Sequence, residues 1–273
     1  MKKDWTQDKV TVNGGIELFY TRTGGDKPVI VLAHGITDSG LCWHQLASDL
    51  EENYDVIMYD AYGHGKSSRV DPDKRYDLSE DLHDLIEALK LEKPGVIGHS
   101  MGAATAAGFA AAHPDMLSAL VLEEPPWIDI KAGQEFDKNA MQDWKKNILE
   151  TQKQTVKELI KQKKKDSPNW EDAILEEWAQ SKLEFDSGVF DLYPIKRENW
   201  RDLAKAIKVP TLIITGDNEL GSIITPKLGV EAVEIMDKGE FGHISLAGHC
   251  VRYEQYQPYL TMVRLFLSRN VAV

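Results

Sequence analysis

Only two cysteines, Cys42 and Cys250, occur in 273 residues, far apart in the chain. Neither a disulfide framework nor a zinc-ligand spacing can be drawn from them, so both read as free, reduced thiols in small buried spaces. Long apolar runs are missing as well. None approaches the roughly 18 residues that a membrane helix needs, and the N-terminal MKKDWTQDKVTVNG has lysines with no apolar stretch behind them. No membrane partner and a cytoplasmic location are therefore expected. Positive charge is in deficit: 32 Lys and Arg face 44 Asp and Glu, a net charge of −12. A phosphate backbone would meet overall repulsion, and nucleic acid is not expected as a partner. Nothing looks like a metal cluster or a phosphate-cradling loop. Gly63-His64-Gly65 lacks the remaining glycine and the strand-to-helix context of a dinucleotide site, so no cofactor is expected.

What is present is ordinary globular composition, 42% hydrophobic and 28% charged, in a length that suits one large α/β domain. Strand-like runs alternate with helical patterns. VTVNG and IELFYTRTGG predict a hairpin turning at Asn13, Gly14 and Gly15. PVIVLAHG, YDVIMYD, PGVIGHS and LSALVLEEPP are the continuous apolar runs of strands buried on both faces of a parallel sheet. Between them lie helical stretches from Leu41 to Leu50, from Asp77 to Leu91 with Asp77 and Glu80 at capping-box spacing, and through MGAATAAGFAAAHP.

From Trp127 to Arg201 strand patterns vanish and charge rises. The periodicity predicts one helical stretch through Met141, Trp144, Ile148, Val156 and Leu159, and a second, started by Ser167-Pro168, through Trp170, Ile174 and Trp178. The rhythm then resumes with VPTLIITGD, a helix over Pro226 to Met236, a short strand GHISLAG and a last helix carrying Tyr256, Tyr259, Leu260, Val263 and Leu267. The layout is one core, residues 1–126 and 202–273, interrupted by a helical insertion over 127–201. Its tryptophans are expected to pack between helices, and Trp127, at its opening, is the candidate for the substrate pocket.

Gly98-His99-Ser100-Met101-Gly102 is a G-x-S-x-G run placed directly after an apolar strand and before an alanine-rich helix. A serine on so sharp a turn has strained backbone angles, and only small neighbours at Gly98 and Gly102 let strand and helix approach. Its hydroxyl stands at the helix N-terminus, where the Met101 N–H can donate to an oxyanion. Serine needs a base to take its proton. His249, in a glycine-preceded loop beyond the last strand on the edge where Ser100 emerges, is the assignment. His243 is the alternative, but inside the strand it would be buried or stacked.

These residues resemble the α/β-hydrolase superfamily over nearly the whole chain: His34-Gly35 is similar to its oxyanion loop, DAYGHGKS from Asp60 to Ser67 to its D-x-x-G-x-G-x-S turn, GHSMG to its nucleophile elbow and AGH to its histidine loop. The resemblance implies an eight-stranded, mostly parallel sheet with helices on both faces and a helical lid after the sixth strand. It also implies an oxyanion hole from the N–H groups of Ile36 and Met101, with His64 and Ser67 structural. The triad acid follows the sixth or the seventh strand in such proteins. Glu124 stands 24 residues after Ser100, a spacing similar to members with the acid after the sixth strand, lactone-cleaving relatives among them. Asp217 and Glu219 compete after the seventh, and all three stay open. Serine at the elbow argues against dehalogenase and epoxide hydrolase chemistry. The loop HGITDSG lacks the H-G-G-P-G run of proline iminopeptidases and the double glycine typical of many C–C hydrolases. The expectation is a cofactor-independent serine hydrolase acting on a small-molecule ester or lactone. A C–C or thioester hydrolase with the same triad, or a non-catalytic ligand-binding protein on the same fold, is the alternative.

Overall fold

Along β1 (Thr6–Val12) only Val12 is buried, whereas β2 (Ile16–Arg22) alternates buried and exposed positions for much of its length. A strand at a sheet edge tolerates that exposure, and the two form an antiparallel hairpin through the turn Asn13–Gly15. The computed structural model describes residues 4–129, 138–192 and 199–271. The continuous apolar runs become β3 (Val29–Ala33), β4 (Asp55–Tyr59), β5 (Gly95–His99), β6 (Ala119–Glu123) and β7 (Thr211–Thr215), nearly all buried, and β8 (Gly239–His243) closes the far edge. The eight strands run in the order β1-β2-β4-β3-β5-β6-β7-β8, with β2 antiparallel to β4 and every pairing from β4 to β8 parallel. Parallel register puts the C-terminal ends of β3, β5, β6, β7 and β8 on one edge.

Successive residues of each central strand point to opposite faces, and the core divides accordingly. Val31, Ala33, Val96, Leu120, Leu122 and Ile213 face α2 (Leu78–Ala88), α3 (Met101–Ala112), α7 (Trp200–Ala206) and α8 (Pro226–Ile235). Ile30, Leu32, Ile97, Val121, Leu212 and Ile214 face α1 (His44–Leu50), α9 (Val251–Glu254) and α10 (Tyr256–Asn270). Asp77 caps α2 by accepting from the Glu80 N–H.

Between β6 and β7 lie α4 (Lys138–Thr151), α5 (Val156–Asp166) and α6 (Asp172–Glu184). Residues 130–137 and 193–198 of the insertion expected over 127–201 lie outside the described residues. The single helix expected from Met141 to Leu159 is two, because Thr155 and Glu158 form a reciprocal capping box that starts α5 afresh. The next helix begins at Asp172, later than Ser167-Pro168 suggested. The last strand also ends sooner, at His243, with Ile244 to Gly248 in a loop. Trp200 and Arg201 open α7, and Trp200 packs with Ala204 in the α2–α3 core.

The insertion meets the core through two apolar clusters. Trp170, Ile174 and Leu175 pack on Cys42 and Tyr253, and Ile148, Phe185, Val189 and Phe190 pack against Ile36, Val70 and Tyr76. Trp144, expected inside, is 37% exposed and touches Phe190 by one ring face. A buried charge adds to these clusters: Lys182 of α6 donates to Asp38 Oδ1 at 2.5 Å and to the Thr37 carbonyl at 3.0 Å. Removing one partner of a buried pair leaves the other uncompensated. Lys182→Met is therefore expected to lower unfolding free energy by about 3 kcal/mol in urea titration, whereas Lys153→Met, which breaks an exposed pair with Glu150, should stay within ~0.5 kcal/mol. Equal effects of the two would contradict this account.

Candidate active site

Ser100 follows β5 with φ 51° and ψ −112°, and its hydroxyl caps no N–H of α3. Three close approaches hold it there. The Ser100 N–H donates to the Glu123 carbonyl at 2.9 Å, a Cβ on Gly98 would collide with the Gly102 carbonyl, and a Cβ on Gly102 would collide with that of Ala33. Glycine at 98 and 102 is thus a packing requirement of this turn. The N–H of Met101, first in α3, has no partner within the helix. In the loop after β3, the N–H of Ile36 has no acceptor among the described residues.

His249 stands in the loop between β8 and α9, with Nδ1 3.3 Å from Glu124 Oε2. Glu124, at the end of β6, has φ 50° and is fully buried. Its Oε2 also accepts from the Ile223 N–H at 2.6 Å, and Oε1 accepts from the Ser222 hydroxyl at 2.6 Å and the Gly216 N–H at 3.3 Å. Hydrogen bonds so disposed fix the carboxylate in one orientation. With Nδ1 on Glu124, the Nε2 of His249 has no hydrogen-bond partner among the described residues. His99, which sequence reasoning treated only as a spacer in the motif, donates from Nε2 to the His249 carbonyl at 3.0 Å, and the two rings lie 4.9 Å apart. Burial and the nearby Arg252 hold the His99 pKa well below 6.5, so the ring is neutral.

Asp217 has other partners. Its Oδ1 accepts from His243 Nε2 at 2.8 Å and its Oδ2 from the Leu246 N–H at 2.7 Å. The competing acid and the competing base of the sequence thus pair with one another. His243 is exposed rather than buried, because β8 is an edge strand that ends there. Glu219 is exposed in the 3-10 turn Asn218–Leu220.

A buried charge network that sequence reasoning missed lies behind these loops. Arg252 donates from Nη1 to Glu123 Oε2 at 3.2 Å and from its backbone N–H to Glu123 Oε1 at 3.0 Å, and its Nη2 donates to Asp38 Oδ2 at 3.3 Å. Its guanidinium also lies 4.1 Å from the Trp43 ring. Asp38 is the carboxylate that holds Lys182, and the two cations keep its pKa low against the opposing effect of burial. No local motif announces this set, since its members come from four distant parts of the chain. In the neighbouring turn, Asp60 accepts from the Gly40 and Lys66 N–H groups at 2.7 and 2.8 Å, and Ser67 donates to the Asp60 carbonyl at 2.6 Å. His64 is fully buried beside His34 and Phe185.

Residues 28–254 match the profile described as alpha/beta hydrolase fold, and the chain belongs to that family. It is 38% identical over 114 residues to the lipase LipV of Mycobacterium tuberculosis, a match covering 40% of this chain and 42% of that protein. It is 34% identical over 113 residues to the 2-hydroxy-6-oxo-6-(2'-aminophenyl)hexa-2,4-dienoic acid hydrolase of Metapseudomonas resinovorans, covering 40% of this chain and 39% of the other. The chain thus spans between a third and about two fifths of the length of the curated relatives it matches. Among solved structures, the enol-lactonase of Burkholderia xenovorans LB400 superposes with a TM-score of 0.73 at 23% identity, over 96% of this chain and 100% of that one. That likeness concerns the fold.

A cavity of about 910 Å³ runs along α3 from Met101 to Ala112, walled by Trp127, Trp200 and the first turn of α2. Trp127 is buried and stacked on Trp200 at 5.6 Å.

His34 gives the site an acid limit. Its Nδ1 donates to the Gly35 carbonyl at 2.8 Å while Nε2 accepts from the Ala61 N–H at 3.0 Å, an arrangement only the neutral ring can make. Burial pushes its pKa down to about 4. The unfolded chain takes up this proton near pH 6.5 and the folded chain only near 4, so the stability is full above 6.5 and is lost as pH falls through that window. His34→Gln should flatten the fall in unfolding free energy between pH 6.5 and 4 by up to about 3 kcal/mol. An unchanged acid limb in a folded variant would show that His34 titrates normally.

Proposed function

We propose that this hydrolase-family chain is a cofactor-independent serine hydrolase that cleaves a carboxylic ester or lactone. Ser100 Oγ attacks the carbonyl carbon as His249 Nε2 takes its proton. The oxyanion is met by the N–H groups of Ile36 and Met101. His249 returns the proton to the leaving oxygen, and water, activated by the same ring, hydrolyses the acyl-enzyme. Glu124 holds the Nδ1 proton and offsets the imidazolium charge. The observation that carries this reading is the 3.3 Å approach of His249 Nδ1 to a Glu124 carboxylate already held by the Ile223 N–H and the Ser222 hydroxyl, on the sheet edge where a strained serine follows β5, the parallel neighbour of β6. The insertion over 127–201 is read as a lid whose Trp127 borders the substrate. The names of the lipase, the dienoic acid hydrolase and the enol-lactonase support a small-molecule carbonyl substrate and do not choose among them.

The test is a panel of activated esters, lactones and thioesters. Ser100→Ala should remain folded and lose nearly all turnover and all fluorophosphonate labelling, since a comparable removal in another serine hydrolase costs roughly 10⁶-fold in kcat. Retention of a tenth of the activity would end the mechanism. Glu124→Gln should lose on the order of 10³-fold or more, because an amide can donate to the ring and favour the wrong tautomer. Asp217→Asn, whose partners are His243 and Leu246, should stay within about tenfold. The reverse ranking would move the acid to the seventh strand.

Trp127→Ala is expected to change KM and the ranking of acyl groups more than kcat on the smallest activated ester. An equal loss on every substrate, in a folded variant, would place Trp127 among the catalytic groups.

A further inference from the structure

Far from Ser100, at the other end of α3, Glu80 and His83 of α2 meet His113, the residue that ends α3. At a rise of about 1.5 Å per residue, the length of α3 separates this trio from the elbow by nearly 20 Å. The donor atoms of the three side chains lie within 4.8 Å of one another, and among the described residues no other trio of His, Cys, Asp and Glu converges in this way. Glu80 Oε1 is 3.5 Å from His113 Nε2. Two ligands of a tetrahedral ion with bonds of about 2.1 Å stand about 3.4 Å apart, so this pair already has the required spacing.

Two further features favour a cation here. His83 Nδ1 is 3.1 Å from Asp84 Oδ1. A carboxylate taking the Nδ1 proton leaves the Nε2 lone pair of His83 available to a ligand, the outer arrangement that metal-binding histidines ordinarily have. The surrounding charge is negative, since the one guanidinium of Arg75 is shared by Glu80, Asp81 and Asp84 at 4.0, 3.1 and 3.5 Å. Arg75 approaches Glu80 through Oε2, which leaves Oε1 turned to His113. The two imidazoles stack at 4.3 Å beside Phe109, with planes 21° apart. To take up an ion the two rings must turn out of this stack so that both lone pairs meet it.

We propose that Glu80, His83 and His113 form a binding site for a borderline transition-metal dication of the Zn²⁺, Co²⁺ or Ni²⁺ type, which clasps α2 to α3. Two imidazoles and one carboxylate suit these ions and not Mg²⁺ or Ca²⁺, which prefer oxygen. Water completes the coordination on the exposed side. Glu80 also lines the far end of the cavity that begins at Met101, so the bound ion closes that end without touching the serine chemistry.

The experiment uses the full chain freed of metal with a chelator and titrated with ZnCl₂ or CoCl₂, with MgCl₂ alongside. Zn²⁺ at ~100 µM should bind with one-to-one stoichiometry by calorimetry and raise Tm by about 3 °C or more, while Mg²⁺ does neither. Co²⁺ should give the visible absorption of a low-coordinate, nitrogen-ligated ion. His113→Ala and the conservative Glu80→Gln should each weaken Zn²⁺ binding at least tenfold, and Asp84→Asn, by freeing the His83 ring, about tenfold. Ser100→Ala should bind as the parent does. No heat and no Tm shift at that concentration would overturn the proposal. So would binding that survives unchanged in both His83→Ala and His113→Ala, since the ion would then sit elsewhere. Glu80→Gln guards against a histidine variant that fails to fold.

Discussion

Arg252 is buried to 3% exposure, and water cannot screen its charge. Its neighbours therefore have to. Glu123 and Asp38 are the carboxylates that face it, and Lys182 balances the second of them, so two cations meet two anions inside the protein. Such a set adds little net stability over a well-packed apolar one, but it fails badly when any member moves, because an unpaired buried charge costs several kcal/mol. Its members lie beside the groups proposed to react. Glu123 precedes Glu124, Asp38 follows Ile36 by two positions, Arg252 follows His249 by three, and the Glu123 carbonyl accepts the Ser100 N–H. Four loops that the chain connects only at long range are thereby held to one geometry. That geometry is what an oxyanion hole needs, since its donors act only if they are fixed before charge develops.

The same loops store strain. Among the described residues, Thr37, Lys90, Lys93, Ser100, Glu124 and Leu246 are the non-glycine positions with positive φ. Lys90 and Lys93 lie in the turn before β5, at the opposite edge of the sheet. The others stand just beyond the C-terminal ends of β3, β5, β6 and β8. Each costs on the order of 1–3 kcal/mol and persists only where the surroundings over-determine it. Parallel strands make this concentration possible: they deliver successive loops to one edge, and the core on both faces supplies the rigidity that the edge consumes.

How much of this was readable beforehand depended on the range of the interaction concerned. The GHSMG run carries its own context, strand before and helix after, so Ser100, Met101 and the two glycines were legible in the sequence. The central strands were legible because burial on both faces leaves an unbroken apolar run. Glu124 and Asp217 were not separable, since each follows a buried strand and β6 and β7 are neighbours. What separates them is a contact between Asp217 and His243 that neither strand's sequence reveals. The end of β8 was misread because GHISLAG has strand-like composition, whereas the ladder with β7 stops at His243. The merged helices were readable in principle, as Thr155 and Glu158 have capping-box spacing. With no glycine or proline between Thr151 and Val156, the apolar periodicity masked the break. The buried network had no local signature, because the fold alone brings its members together, and in the trio only Glu80 and His83 share a helix face by spacing while the fold adds His113.

The anchoring of the insertion bears on what can move. A lid that lifts must give up the contacts beneath it, and α6 reaches the oxyanion loop both through Lys182 and through apolar side chains next to it in the chain. Phe185 shares a cluster with Ile36, and Lys182 grips the Thr37 carbonyl and Asp38. Lifting α6 would take Lys182 from Asp38 and leave Asp38 and Glu123 to share Arg252. The cost, about 3–5 kcal/mol for a broken buried pair, is a large part of the 5–15 kcal/mol that holds a typical domain together. A helix fixed at that expense behaves as a wall. Its position then bears directly on the loop after β3, the one proposed to hold the oxyanion.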